Sequence, residues 1–97
     1  MNVYLLSPAD RELEDAINLY NEHFQGLGDK FFDEFIKTIN LLKQTPFGWR
    51  KVGKNTRRIN LKRFPYLILY IVTDEQILIT CIAHQHRNPR YYIERYQ

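Results

Sequence analysis

Four residues near the end of the chain, His84, His86, Arg87 and Tyr91, carry side chains suited to moving protons and steadying negative charge. An imidazole titrates near neutrality and can give or take a proton at physiological pH. A phenol or guanidinium beside it can supply a proton or hold a developing oxyanion. His84 and His86 share parity, so both should project to one face of an extended strand. The plainer alternative is that His84 satisfies a hydrogen bond at a strand end and His86 sits in solvent. Two imidazoles could chelate an ion, but no third ligand stands at a fixed spacing, so no metal site is assigned. Cys81 has the opposite parity and no implied activating partner, and it reads as a small core residue. Gly48 and Gly53 are isolated turn formers rather than a phosphate-cradling loop, and no cofactor is assigned.

A second set offers charge without proton transfer. Arg57, Arg58, Lys62 and Arg63, with Arg87 and Arg90, are the candidate target- or anion-binding residues. Net charge is only +3, yet it is unevenly placed. From Met1 to Glu34 eight acids face Arg11 and Lys30; from Phe35 to Thr73 there is no acid against nine bases. Folded, such a chain has an acidic side and a basic side, and the basic side steers anionic partners inward. A solvated sheet face with a basic loop is the competing account. Aromatic residues interleave with bases at Trp49-Arg50-Lys51 and Arg90-Tyr91-Tyr92. They could stack on single-stranded nucleic acid or form protein-binding hot spots.

These side chains need elements to position them. Val3-Tyr4-Leu5-Leu6 reads as a short strand. Ser7 is a suitable N-cap, with Pro8 at the first helical position, for a helix whose apolar face is Leu13, Ala16, Ile17, Tyr20 and Phe24. Gly26 and Gly28 allow its left-handed exit. Asp29 can cap a second helix with apolar positions Phe32, Phe35, Ile36, Ile39 and Leu42, closed at Thr45-Pro46. The phenylalanine group Phe31, Phe32 and Phe35 reads as core at helical spacing. Residues 47 to 56 form a loop. Arg57 to Arg63 alternates, with Ile59 and Leu61 on one face and Arg58, Asn60 and Lys62 on the other. Tyr66 to Val72 is nearly continuous apolar sequence, as in a central strand. It returns through a tight turn at 73–76 as Ile77 to Ala83, and the tail from Pro89 is short helix or extended. The order is β-α-α-β-β-β: an α+β domain with a helix hairpin packed on a small antiparallel sheet.

At 97 residues, 44% hydrophobic and 26% charged, the chain is one globular domain spanning 1–97 with a modest core. No apolar run is long enough to span a membrane. The opening residues lack the basic flank of a signal peptide. One cysteine excludes an internal disulfide and suits a reducing compartment. The expectation is a cytoplasmic protein with no membrane partner.

This order, with particular residues, resembles the RelE/ParE superfamily, and its ParE-like branch most closely. The carriers are Leu6-Ser7-Pro8-Ala9 before an acidic helix, Arg58-Ile59-Asn60-Leu61 leading into Arg63-Phe64-Pro65-Tyr66-Leu67-Ile68-Leu69-Tyr70, and the run from Ile79 to Pro89. The chain departs from the ParE-like pattern at His86, where arginine is usual, and at Gln85, where a small residue is common. The resemblance implies the toxin of a plasmid-stabilisation or toxin–antitoxin system, neutralised by a cognate antitoxin that wraps the toxin. It also implies a groove between helix hairpin and sheet edge fit for an acidic amphipathic partner. ParE-like members inhibit DNA gyrase without being nucleases. RelE-like members cleave messenger RNA on the ribosome, and in that case His84, His86, Arg87 and Tyr91 would be the catalytic set. A non-toxic member of the fold is the third possibility.

Overall fold

The structure is a computed structural model that describes residues 1–96. Its elements are β1 (Asn2–Leu5), α1 (Ala9–His23), α2 (Leu27–Gln44), β2 (Arg50–Lys51), β3 (Arg57–Asn60), β4 (Tyr66–Thr73) and β5 (Gln76–His84), followed by two 3-10 turns at Pro89–Tyr91 and Ile93–Arg95. The α+β order anticipated from the sequence is present. The sheet has five strands in the order β1-β5-β4-β3-β2. The four strands from β2 to β5 pair antiparallel, whereas β1 joins the other edge parallel to β5, making the sheet mixed. Strand β2 lies within what the sequence offers as a loop. It is two residues long, too short for periodicity to register.

Both helices cover one face of the sheet. The core there joins Ala16, Phe31, Phe35, Ile39 and Leu42 to Ile59, Leu61, Ile68, Tyr70, Ile77, Ile79 and Ile82. On the opposite face Leu67, Leu69, Cys81 and Ala83 are covered by Tyr92 of the C-terminal segment, with Val52 and Tyr96 packed alongside. The apolar stripe of α2 is therefore Phe31, Phe35, Ile39 and Leu42, one position round from the stripe read in sequence. Phe32 and Ile36 are each 41% exposed and Phe24 is 73% exposed. Consecutive phenylalanines compete for the core, and the sheet decides which of them enters it.

Two helix starts also differ from expectation. Pro8, not Ser7, occupies the cap position of α1 without a side-chain cap, after a cis Ser7–Pro8 bond. The Ser7 hydroxyl instead accepts from Arg11 at 3.4 Å. Gly26, not Asp29, caps α2, and its φ of 89° lies in the left-handed region open to glycine. Gly28 belongs to α2 itself, where the helix presses against α1. A Cβ there would lie 2.1 Å from the Ile17 carbonyl oxygen. The Gly28 amide donates to Asn21 Oδ1 at 2.7 Å, fixing the crossing.

One pairing irregularity shapes β5. Leu69 pairs with Cys81 and Tyr70 with Ile79, leaving Thr80 as an extra residue, a bulge. Because of it Ile79 and Ile82, three apart, both face the helices. No helix among the described residues is long and apolar enough to cross a membrane.

Gly28→Ala should destabilise the fold by about 2–3 kcal/mol, since the atom it meets is backbone and cannot swing aside. Chemical denaturation followed by circular dichroism would measure the loss.

Candidate functional site

Strand β5 ends at His84 and the chain turns sharply. Gln85 donates its amide to Pro65 O at 2.7 Å, and Arg87 donates to His84 O at 2.9 Å. His84 and His86 thus come together through a turn rather than along one strand face as their parity suggested. Their ring centroids are 5.4 Å apart. The His86 amide donates to His84 Nδ1 at 3.0 Å, which requires the neutral ring to carry its proton on Nε2. The His84 ring stands edge-on to Tyr66 at 5.4 Å.

Arg87 and Tyr91 complete the grouping. The Arg87 guanidinium lies 3.7 Å from the centroid of the Tyr91 ring, and Arg95 approaches the same ring at 4.8 Å. The Tyr91 hydroxyl donates to Glu12 Oε2 in a short hydrogen bond. That bond, with some burial, raises the phenol above its ordinary pKa. Glu12 Oε1 also accepts from Arg95 Nη1 at 2.9 Å and from the Ile82 amide at 3.0 Å. Its side chain is 8% exposed. Burial works to lower the Arg95 pKa, but the bonds to Glu12 and Tyr91 outweigh it and hold the guanidinium above its usual value. A cavity of about 190 Å³ opens here, lined by Tyr66, His84, Arg87 and Tyr91 but also by Glu12 and Asp15. The four sequence candidates are brought close, and two carboxylates stand among them. Two carboxylates beside the imidazoles oppose the approach of a phosphate.

Cys81 lies on the opposite sheet face, fully buried. Burial first, and then Glu12, push its thiol up to about 12, which suits a core residue and not a nucleophile.

The basic residues separate into distinct roles. Arg57 is drawn inward: its Nη1 donates to Phe47 O at 2.9 Å and Trp49 O at 2.8 Å, pinning the 47–49 loop. Arg58 Nε donates to Asn60 Oδ1 at 2.9 Å. The backbone amides of Lys62 and Arg63 donate to Glu34 Oε2 at 3.0 and 3.4 Å. Arg63 borders a shallow cavity with Lys30, Asp33 and Phe64. Arg90 is exposed in the C-terminal turn. Arg58 and Lys62 do not reach the histidine group. They line a different feature, a groove of about 670 Å³ between α2 and the β2–β3 edge. Its apolar walls are Leu41, Trp49, Ile59 and Leu61, and its cations are Lys37, Arg50, Arg58 and Lys62. Lys37 was not in the sequence set. It stands one turn before Leu41 on α2, and a helical projection of the acid-free run would have placed it beside that groove wall. The Trp49 indole nitrogen is buried and has no hydrogen-bond partner among the described residues.

A helix hairpin on a mixed sheet, with a basic groove along one edge, is the architecture of a toxin domain of the RelE/ParE superfamily. The chain belongs to the ParE toxin family: the family model described as "ParE toxin of type II toxin-antitoxin system, parDE" matches residues 3–89. Toxin ParE2 of Mycobacterium tuberculosis (strain CDC 1551 / Oshkosh) is 28% identical over 79 residues, covering 80% of this chain and 75% of its own length. Toxin ParE2 of strain ATCC 25618 / H37Rv matches to the same extent. Among solved structures, a chain described as "Chromosomal ParDE TA system from P. aeruginosa" superposes with a TM-score of 0.76 at 18% identity, over 87% of this chain and 95% of that one, a likeness of fold.

Two outcomes are expected from this geometry. Arg95→Met leaves a buried carboxylate without its cation and the Thr80 carbonyl without its donor. It should cost about 2–3 kcal/mol, read by urea denaturation, with faster hydrogen exchange at the Ile82 amide. Stability should also fall as pH rises from about 9 to about 12. The Cys81 thiol and the Tyr70 phenol, with ordinary values of 9.0 and 10.0, both reach about 12 when folded. The unfolded chain releases those protons first, so the stabilisation is complete below that window and lost within it. Cys81→Ala should flatten the lower part of the fall in a pH series of denaturation curves.

Proposed function

We propose that this chain is the toxin of a type II pair that acts by binding a protein target, DNA gyrase, and is held inactive by a cognate antitoxin. The observation that carries the binding reading over a catalytic one is the engagement of the histidine–arginine–tyrosine group. The Tyr91 hydroxyl donates a hydrogen bond to Glu12, Arg87 lies on the Tyr91 ring, and His84 Nδ1 accepts from the His86 amide. A general acid or a phosphate clamp needs those groups free. Gyrase is the target that the resemblance to ParE-like toxins suggests for it.

The antitoxin reading draws on the groove. Apolar walls flanked by Lys37, Arg50, Arg58 and Lys62 fit a partner segment with one apolar face and acidic neighbours. The one carboxylate in the groove lining, Glu34, already accepts the Lys62 and Arg63 amides. The cytoplasm, where gyrase resides, is the compartment this reading requires.

Inducible expression in a bacterial host, scored with a gyrase supercoiling assay and primer extension on messenger RNA, tests the function. Growth arrest with gyrase inhibition and intact RNA is the expected result. Arrest with cuts at ribosomal A-site codons would replace it by a RelE-type endoribonuclease acting through His84, His86, Arg87 and Tyr91. Absence of arrest by the folded protein would make the chain a non-toxic member of the fold. Arg58→Glu with Lys62→Glu should weaken antitoxin binding at least tenfold in calorimetry, more so at low salt.

A further inference from the structure

Strands β2 and β3 are joined by two rungs, and each rung sets like charges face to face: Arg50 opposite Arg58, and Lys51 opposite Arg57. Directly opposed residues of an antiparallel pair lie close together on one face of the sheet, and like charges there oppose the pairing. Arg57 escapes by turning to the Phe47 and Trp49 carbonyls, and Lys51 is exposed. Arg50 and Arg58 find no acid. Among the described residues the ion pair is Glu12 with Arg95, on α1 and the C-terminal segment. The register sets Arg50 opposite Arg58 and Arg58 opposite Leu69, so both project from the sheet edge on the face that Leu69 and Tyr96 share. Charge on an edge strand guards against aggregation. That purpose is met by Arg50 and Lys51 on β2 and does not call for a second arginine on β3 behind them.

We propose that the Arg50–Arg58 rung is an oxyanion subsite that takes a carboxylate side chain of the acidic partner protein. The proposal rests on the antitoxin reading given above. Two guanidiniums held across a strand pair present several N–H donors to one carboxylate, whose charge cancels the repulsion built into the rung. A carboxylate is favoured over a nucleic-acid phosphate because both arginines also border the apolar groove of Leu41, Trp49, Ile59 and Leu61. A phosphate backbone brings no apolar surface to fill it, whereas an amphipathic protein segment does. The Trp49 ring, on a loop pinned by Arg57, forms part of the wall of the same groove.

The test uses Arg50→Glu in the full chain, with Arg50→Gln as the milder variant, and the cognate antitoxin as probe. An Arg50→Glu side chain would face Arg58 as an ion pair. The free toxin should melt about 2–4 °C higher at low salt, with the gain vanishing in high salt. Its affinity for the antitoxin should fall tenfold or more in calorimetry, and Arg50→Gln should move both readings partway. A residue with only a structural role would not raise stability and lower affinity together. Unchanged or reduced melting temperature in both variants would show that the rung is not repulsive and overturn the proposal. Higher stability with full antitoxin affinity would overturn the subsite and leave the antitoxin reading standing. A wild-type chain that ignores the antitoxin but binds a DNA or RNA oligonucleotide through Arg50 would overturn both in favour of phosphate.

Discussion

Strand β5 runs on past the point where β1 leaves it, and a sheet edge that ends inside the molecule must find partners for its polar groups. The last β1 contact is the Leu6 amide donating to Ile79 O at 2.9 Å. Beyond it the Thr80 carbonyl and the Ile82 amide face outward with no strand beside them. Arg95 donates to that carbonyl at 3.1 Å, Glu12 accepts from that amide at 3.0 Å, and the two side chains close on each other at 2.9 Å. An ion pair thus occupies the place of a strand residue, offering a donor and an acceptor. The bulge at Thr80 makes the arrangement necessary, because it turns the β5 backbone and puts Ile82 back toward the helices. Helix α1, the edge of β5 and the C-terminal segment are all held through Glu12. Placement of Tyr91, and with it of Arg87, follows from that one carboxylate.

The opposite edge of the sheet follows another logic. There β2 is two residues long and leaves β3 uncovered from Ile59 onward, so a groove forms between that edge and α2. Glu34 secures the turn after β3 through two backbone amides, much as Glu12 secures β5. The cations around the groove have no such arrangement. Satisfying polar groups on one edge gives the fold its rigidity, and leaving charge uncompensated on the other gives it a preference for an anionic, apolar-faced partner. The acidic stretch up to Glu34 and the acid-free stretch after it are the sequence record of that division.

Much of this was legible in the chain. The helix hairpin, the meander of the last three strands and the burial of Cys81 follow from periodicity and parity, which are local properties. What was not legible depends on contacts distant in sequence. Glu12 bonds Ile82, Tyr91 and Arg95 across 70, 79 and 83 residues, and nothing at its own position marks it out from Glu14. The parallel pairing of β1 with β5 is of the same kind. Strand β5 ends at His84, so the parity on which the histidine argument relied never reaches His86, although the turn after His84 restores the neighbourhood by another route. Choosing Phe32 over Phe31 erred for a simpler reason: both fit a helical stripe, and the core had room for Phe31. Arg57 stood among the candidate target-binding residues, whereas it shares parity with Ile59 and Leu61, and a cation facing the helix side must find carbonyls to replace water.

The contrast between the arginines states the functional argument in physical terms. Arg57, Arg95 and Arg87 each have a partner within the chain: carbonyls, a carboxylate and an aromatic face. Arg58 has one neutral partner, the Asn60 side-chain oxygen, and otherwise faces Arg50 across a rung, an arrangement that raises the energy of both cations. The pair stands at the surface with no acid across it, so the charge that would offset the repulsion has to come from a partner. The groove beside it adds apolar surface that solvent does not reward. Charge repulsion and an apolar groove both lie along the β2–β3 edge, and one acidic amphipathic segment would answer the two together.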